Sequence, residues 1–319
     1  MEKNEIDRSD FSHYLKITRP RSDLYMTVSH KKAFSGEYVL KIPNNLKDRS
    51  FASVLGTAFD YLARFLIARM TINNKDEALK RLKAEEGIEL FNEKYQKIIN
   101  DRYLKSIEEI YKYIHGENLT INEVIIICCF FARLEHNART RWIPNENQLE
   151  HIEQEDKEII LELTKMSKLF IDEFIKKGMV RANSVVIYNP HFGICTKKLK
   201  GADADIFIDG VLWDFKTTKH SIAKPQDETQ MWQYYIYDNV SKMNKDESSS
   251  LFKYEIKALA FYKARFGEIE FLKVNNIKRN LVYAVSRNVI DTLLNLSIKD
   301  MTINEAFLPC KNKMLFTKR

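Results

Sequence analysis

The stretch that decides the fold is GADADIFIDGVLWDFKTTK, residues 201–219. Asp209-Gly210 lies between two short segments in which apolar side chains predominate. This dipeptide favours a two-residue type I′ turn, because both of its positions need positive φ angles. The sequence therefore predicts a β-hairpin whose two strands meet at this turn.

The predicted turn fixes the register of the hairpin. The facing pairs are Ile208 with Val211, Phe207 with Leu212, and Ile206 with Trp213. Alternation of side chains along each strand then separates two faces. One face is expected to be the core face and carries Ala204, Ile206, Ile208, Val211, Trp213 and Phe215. The other face is polar and carries Asp205 directly opposite Asp214, with Lys216 beside them.

The polar face raises an electrostatic problem. Carboxylates directly opposite each other on paired strands have Cβ atoms roughly 4.5–5.5 Å apart, and like charges at that separation destabilise a sheet. A divalent cation with oxygen ligands, such as Mg²⁺, compensates for them. Lys216 can stabilise negative charge developing next to the metal. This face therefore indicates phosphodiester hydrolysis, although an acidic and basic surface hairpin would give the same pattern. Asp203 is an alternative to Asp205 as the first carboxylate.

Two helical segments carry further polar candidates. In the predicted helix 225–240, Gln230 and Tyr234 share one face, and Gln233 with Tyr237 repeats the same spacing. An amide and a phenol on one face can donate hydrogen bonds to a phosphate, and the same pattern is typical of an aromatic core helix with polar tips.

Asp60 is a charged residue in the apolar helix SVLGTAFDYLARFL, one turn after Gly56. A carboxylate at this position can reach a site from another layer of the fold. The alternative is an exposed helix position next to Arg64.

Composition bounds the class of protein. The 319 residues are 45% hydrophobic and 12% aromatic, with a net charge of +7 and a pI of about 9.0. This mild basic excess is compatible with a polyanionic partner. The four cysteines lack CxxC spacing, and the N-terminus is polar. The apolar run 124–131 is too short to cross a membrane. We therefore expect a soluble, cytoplasmic protein with reduced thiols and no membrane partner.

The periodicity of apolar residues changes along the chain. Spacings of three and four predict a helix from about residue 53 and further helices at 74–86, 88–116, 120–137 and 148–177, with a break at Pro144. Alternation predicts strands at 185–188, 195–199, 205–208, 211–217, 254–262 and 268–274, followed by a helix at 277–296. Residues 37–42 are expected to be a strand or irregular.

Taken in order, these features resemble the PD-(D/E)xK nuclease superfamily, and most closely its RecB-like and Cas4-like branch. The matching residues are Gly56 with Asp60, Gly201 with Asp205, Asp214-Phe215-Lys216, and Gln230 with Tyr234. The resemblance covers roughly 51–70 and 184–275. It implies an α/β (α+β) fold with a restriction-endonuclease-like core, in which helices flank a mixed central sheet and residues 72–180 form a large helical insertion. The rest of the chain would then comprise an N-terminal segment (1–50), the first core helix (51–71), the nuclease core (181–300) and a tail (301–319).

The resemblance also assigns roles. Asp205 and Asp214 would hold Mg²⁺ or Mn²⁺ with help from the backbone carbonyl of Phe215, and Lys216 would activate the attacking water. Gln230 and Tyr234 would position the DNA backbone. Asp60 stands where many RecB-like members carry a histidine metal ligand, and an all-oxygen site favours Mg²⁺ over softer metals.

The Cas4-like iron–sulfur cluster needs four cysteines, three of them near the C-terminus. Only Cys310 lies there, so we expect no cluster. DNA is the expected substrate, contacted in part by basic residues in and near the insertion: Lys80, Arg81, Lys83, Arg139 and Arg141. No Walker A loop is present in the sequence, so an ATP-driven step would need a helicase or other ATPase as a partner.

Two other classes of protein remain open from the sequence. One is a catalytically silent nucleic-acid-binding or interaction subunit that retains the nuclease fold. The other is a structural protein in which the match is chance. An RNA-directed nuclease is an alternative within the leading class.

Overall fold

The computed structural model describes residues 8–48, 51–141, 149–199, 204–222 and 224–291. Ten α-helices are found in these ranges: α1 (Arg8–Thr18), α2 (Phe51–Met70), α3 (Ala84–Ile88), α4 (Glu93–Ile114), α5 (Ile121–Thr140), α6 (Ile152–Glu155), α7 (Lys157–Phe170), α8 (Ile194–Leu199), α9 (Pro225–Met243) and α10 (Arg279–Val289). The six strands are β1 (Met26–Thr27), β2 (Val186–Tyr188), β3 (Ile206–Ile208), β4 (Val211–Lys216), β5 (Ala258–Lys263) and β6 (Glu268–Lys273).

The strands form one mixed sheet in the order β1-β6-β5-β4-β3-β2. Only β4 and β5 pair in parallel, and the other four neighbouring pairs are antiparallel. A parallel pair needs a long crossover, which the chain supplies with α9 between β4 and β5. The expected mixed sheet flanked by helices is therefore confirmed at the level of an α+β fold.

Both faces of the sheet are buried. Ile206, Val211 and Trp213 belong to the core shared with α2, α4, α5 and α7, whereas Phe207 and Leu212 belong to a second core shared with α1, α9 and α10. The expectation of a single core face was therefore incomplete. Ala204 was placed on the wrong face, because it packs into the second core with Phe207.

The helical stretch that follows α2 packs on α2 and on one face of the sheet. The predicted helix at 74–86 is replaced by a 3-10 turn (Lys75–Leu79) and the short α3. A Cβ atom on Gly87 of α3 would lie 2.0 Å from the carbonyl oxygen of Leu134 in α5. This close backbone approach therefore requires glycine. The helix predicted at 148–177 is observed as α6, α7 and a π-helical turn over Ile171–Ile175; Pro144 lies outside the described residues.

A further segment differs from the prediction. Residues 195–199 were predicted to be a strand and lie instead in α8, and the backbone amide of Ile194 at the start of this helix donates to Asp246 Oδ2 at 2.6 Å. Residues 37–42 are irregular, one of the two expected alternatives, and the N-terminal contribution to the sheet is the two-residue β1. The last predicted helix is observed as α10, and its predicted end at residue 296 lies outside the described residues.

α2 has 20 residues, and its length and apolar composition are compatible with a membrane span. In this fold 67% of its most apolar 18-residue window is buried inside the protein. Its side chains from Val54 to Ala68 supply much of the first core. The composition of α2 is thus accounted for by its position as a core helix.

A buried ion pair fixes the chain just beyond β4. Arg265 and Glu162 form a salt bridge, and their side chains are only 2% and 3% exposed. The Nε atom of Arg265 donates to the carbonyl of Thr217 at 2.6 Å, and Nη1 donates to the carbonyl of Pro43 at 3.0 Å. Arg265 therefore ties α7, the N-terminal segment and the end of β4 together.

Candidate active site

A cleft of about 470 Å³ opens where β3 begins and β4 ends. α2 and α5 form one wall, and α9 forms the other. The charged side chains that line it are Asp60, Arg64, Lys83, Glu135, Arg139, Asp205, Asp214 and Lys216. The cleft is thus lined by charged groups, although the helices and strands that form it pack through apolar side chains.

The β3–β4 hairpin has the predicted register, with Ile208, Phe207 and Ile206 facing the predicted partners. Asp209 and Gly210 both have positive φ angles, 48° and 94°, as a type I′ turn requires. Asp205 lies directly before β3, and its Oδ2 accepts a hydrogen bond from the backbone amide of Phe215 at 3.0 Å. This bond fixes the Asp205 side chain against β4. Asp203 lies outside the described residues.

Asp214 and Lys216 form an ion pair in the cleft. Lys216 Nζ lies 2.8 Å from Asp214 Oδ2 and 3.2 Å from Oδ1 of Asp227 in the first turn of α9. Burial raises the pKa of Asp214 to about 7, and the nearby Asp205 adds to this rise while Lys216 opposes it. Burial lowers the pKa of Lys216, but Asp214 and Asp227 outweigh that effect, so its pKa is raised. Lys216 is therefore a cation at neutral pH.

Asp60 reaches the same cleft from α2. Its Oδ1 is buried and has no hydrogen-bond partner among the described residues. Burial raises the pKa of Asp60 well above its ordinary value, and Asp205 and Asp214 raise it further. The alternative of an exposed helix position next to Arg64 is wrong, because Asp60 is only partly exposed and lines the cleft, while Arg64 donates to the carbonyls of Ala78 and Lys80.

Gln230 and Tyr234 line the opposite wall. Gln230 Nε2 donates to the hydroxyl oxygen of Tyr234 at 2.7 Å, which leaves the hydroxyl hydrogen available to another acceptor. Burial raises the pKa of Tyr234, and Asp205 and Asp214 contribute to the rise. Gln233 and Tyr237 form a similar bond at 2.7 Å but do not line the cleft. The structure thus separates the two pairs that the sequence left equivalent.

Glu135 of α5 was missed by the sequence argument. It is 5% exposed, accepts a hydrogen bond from the Tyr61 hydroxyl at 2.6 Å and forms an ion pair with Arg139. The signal was present, because Glu135, like Asp60, is an acid in a largely apolar helical run.

Only part of the predicted basic set lies in the cleft. Lys83 and Arg139 line it. Lys80 pairs with Glu77 at 2.7 Å, and Arg81 donates to the carbonyl of Tyr188 at 3.2 Å. Burial raises the pKa of Asp205, and the amide of Phe215, Lys216 and Arg139 oppose this rise without cancelling it. Two cations from the helical stretch therefore face the carboxylates.

The side chains that could supply oxygen ligands to a metal are those of Asp60, Asp205 and Asp214. Within the described part of the chain, no three His, Cys, Asp or Glu side chains are already drawn together as a metal site. Asp214 is paired with Lys216, and Asp205 is bonded to the Phe215 amide. A cation bound at Asp214 would therefore compete with the ammonium group of Lys216.

Comparison of the chain with known protein families, curated proteins and solved structures finds no match.

Proposed function

We propose that this chain is a metal-dependent nuclease of the PD-(D/E)xK type that hydrolyses phosphodiester bonds in DNA. The observation that carries the proposal is the meeting of Asp205, Asp214 and Lys216 with Asp60 in one cleft. These residues come from two adjacent strands and from a helix of another layer. Crowding one buried and two half-buried carboxylates together is unfavourable for folding, and a cationic ligand offsets that cost.

The architecture supports a restriction-endonuclease-like core with a helical insertion at 72–180. An antiparallel hairpin, β3–β4, is followed by the crossover helix α9 and by the parallel neighbour β5. The candidate residues lie on the hairpin, on the crossover helix and on α2. This is the order of elements that the motif resemblance implies.

The donor set suits a hard divalent cation. The three candidate ligands are carboxylates, and Asp60 offers a buried oxygen without a hydrogen-bond partner. Mg²⁺ and Mn²⁺ prefer such oxygen ligands. When bound, either ion would neutralise the carboxylates and polarise a phosphate oxygen. Asp60, Asp205 and Asp214 are the residues that would hold it.

The protein's own groups supply the remaining interactions. Lys216 is held protonated by Asp214 and Asp227, so it acts as a hydrogen-bond donor that orients the attacking water and stabilises developing negative charge. Tyr234 can donate its hydroxyl hydrogen to a phosphate oxygen, because its oxygen already accepts from Gln230. Arg139 adds a positive charge from α5 at the mouth of the cleft.

We infer a cytoplasmic setting for this activity. Cys128, Cys129 and Cys195 are buried thiols, and burial raises the pKa of each of them. Structural thiols of this kind are typical of a reducing compartment. A helicase or another ATPase is the partner we propose for any step that needs ATP.

A cleavage assay tests the proposal. Labelled single-stranded DNA, double-stranded DNA and RNA are incubated with the protein in Mg²⁺, Mn²⁺ or EDTA. We expect metal-dependent cleavage of DNA that falls by roughly 10³-fold or more in Asp214→Ala and in Lys216→Ala. The matched controls are Asp101→Ala and Lys105→Ala, which change exposed residues of α4.

The alternatives give different outcomes. Cleavage of RNA alone would change the substrate class. Absence of cleavage, together with absence of metal-induced thermal stabilisation that depends on Asp214, would favour a silent binding subunit. Equal activity in the cleft variants and the controls would overturn the assignment of the site.

A further inference from the structure

A second and larger cavity lies away from the cleft, at the β1 edge of the sheet. It is a groove of about 1400 Å³, and we call it the edge groove. Its walls come from the turn after β1, the segment that follows the π-helical turn, and the end of β6. None of the residues assigned to the cleft lines it.

The edge groove has a strong positive bias. Seven Lys and Arg residues line it against two acids, Asp23 and Glu228. Asp23 pairs with Arg21, and Glu228 lies 3.7 Å from Arg19 and accepts a hydrogen bond from Ser22. Both acids are therefore already matched by neighbouring groups.

Four of the groove cations have no carboxylate partner within the described ranges. Lys176 and Lys177 pair with Asp172 and Glu173 on their own helical turn. The four that remain are Lys31, Lys32, Arg181 and Lys273. The first three are exposed and Lys273 is half-buried. Because they come from three different elements, they surround one concave surface that can bind several negative charges.

The floor of the edge groove is apolar. Tyr25, Met179 and Phe271 are 6%, 8% and 7% exposed, and their exposed atoms face the groove. Phe34 packs on Tyr25 with ring centroids 4.8 Å apart, and Met26 is 37% exposed. A ligand that uses both the floor and the rim must combine negative charges with flat apolar groups.

We propose that the edge groove binds single-stranded nucleic acid, with phosphates on the four unpaired cations and bases against the apolar floor. Proteins that bind single strands without sequence preference combine a basic groove with apolar or aromatic surfaces for the bases. A duplex keeps its bases stacked inside, so it would present phosphates but could not use the floor. A phosphate-only polyanion would lack the apolar contacts.

The first turn of α9 contributes to both the edge groove and the ion pairs of the cleft. Glu228 faces the groove, whereas the adjacent Asp227 pairs with Lys216 in the cleft. A strand that extends from the edge groove along this turn would reach the candidate catalytic lysine. This use of the groove rests on the proposed function; binding in the groove does not.

Fluorescence anisotropy with a labelled 12-nucleotide deoxythymidine strand tests the proposal. The full chain is used with Asp214→Ala and EDTA, so that binding is measured without cleavage. We expect Lys31→Ala/Lys32→Ala/Arg181→Ala/Lys273→Ala to raise Kd at least about tenfold and to reduce the slope of log K against log salt by about 3. The matched control, Lys97→Ala/Lys105→Ala/Lys165→Ala/Lys168→Ala, removes the same charge from exposed positions outside the groove. Its Kd should change less than twofold.

Three results would overturn the inference. The groove variant and the control could lose affinity equally, or the groove variant could lose no affinity. The third result is binding of a duplex or of inorganic polyphosphate as tight as that of the single strand. Cleavage by the protein with Asp214 intact is measured separately with Mn²⁺. A chain that binds through the groove and cuts nothing keeps this inference and loses the proposed function. A chain that cuts DNA without any dependence on the groove cations loses this inference alone.

Discussion

Two regions of this protein bury charge, and they do so differently. Around Arg265, one guanidinium faces the carboxylate of Glu162, and its other nitrogens donate to backbone carbonyls. The second oxygen of Glu162 accepts from the amide of Asn45 at 2.6 Å. Charges and hydrogen bonds are matched, so this region needs nothing from outside the protein.

In the cleft the same balance is absent. Asp60, Asp205 and Asp214 all have raised pKa values, first because they are buried. Asp60 also has an oxygen without a hydrogen-bond partner in the described structure. Matched buried charge is explained by stability alone, whereas crowded carboxylates are costly and indicate a site for a ligand.

Breaking the matched pair should have the largest effect. Glu162→Gln leaves the buried guanidinium of Arg265 without its counter-charge, and we expect the free energy of unfolding to fall by about 3–5 kcal/mol. Urea denaturation measures it. Glu158→Gln, one turn earlier on α7, is the control, because Glu158 pairs with an exposed Lys47 and its replacement should lower the free energy of unfolding far less. Equal effects of the two variants would show that the Arg265–Glu162 pair contributes no more to stability than an exposed ion pair.

The carboxylate of Asp214 in the cleft should instead lower the free energy of unfolding in a pH-dependent way. Asp214 has a pKa of about 7 in the fold against an ordinary value of 3.8, so the folded state binds more protons between these pH values. Stability from this group is present below about pH 4 and is lost as pH rises through 7. The charged groups that face it are Asp60, Asp205, Lys216 and Asp227.

The measurement compares metal-free wild type with Asp214→Asn by denaturation from pH 4 to pH 8. As pH rises, the free energy of unfolding of the variant should increase relative to that of the wild type by an amount on the order of 2–4 kcal/mol. This difference should level off above pH 7. Asp172→Asn, which removes a carboxylate from an exposed ion pair, is the comparison variant. A flat difference for Asp214→Asn would mean that its carboxylate is as well matched as that of Glu162.

Asp60→Asn should stabilise the metal-free protein while it weakens the site. The amide cannot ionise, so placing it beside Asp205 and Asp214 costs less than placing the carboxyl group there, and we expect the free energy of unfolding to rise at pH 7. Thermal unfolding with and without Mn²⁺ measures both effects. The metal-induced rise in Tm should shrink in Asp60→Asn and stay unchanged in Asp101→Asn. A loss of stability at pH 7 would instead show that Asp60 has a structural partner.

The hairpin could be predicted from the sequence because its determinants are local. Asp209-Gly210 needs only two positive φ angles, and the register then follows from counting residues. The same counting placed Asp214 and Lys216 beside each other. The alternation at residues 195–199 predicted a strand, but the segment is the helix α8. Its first residue donates a hydrogen bond to Asp246, about 50 residues later, and no local pattern reveals this contact.

The remaining parts of the cleft and the edge groove depend on long-range packing. Glu135 lies 75 residues after Asp60 and reaches the same cleft only because α5 packs on α2. The four unpaired cations of the edge groove span residues 31 to 273. No spacing rule connects such positions, since their proximity is set by the sheet order, which places β1 next to β6.

The smallest predicted effect concerns Gly56, which the motif pairs with Asp60. A Cβ atom at this position would lie 3.5 Å from Thr217 Oγ1, an ordinary van der Waals distance. Gly56→Ala should therefore raise the free energy of unfolding by about 0.5–1 kcal/mol through helix propensity, and leave the cleavage rate within twofold. The contrasting variant is Gly87→Ala, which meets the backbone of Leu134 and should destabilise the protein. If Gly56→Ala lost activity without losing stability, the space beside Asp60 would itself be part of the site, and the cleft would be more tightly fitted to its ligand than its crowded carboxylates alone indicate.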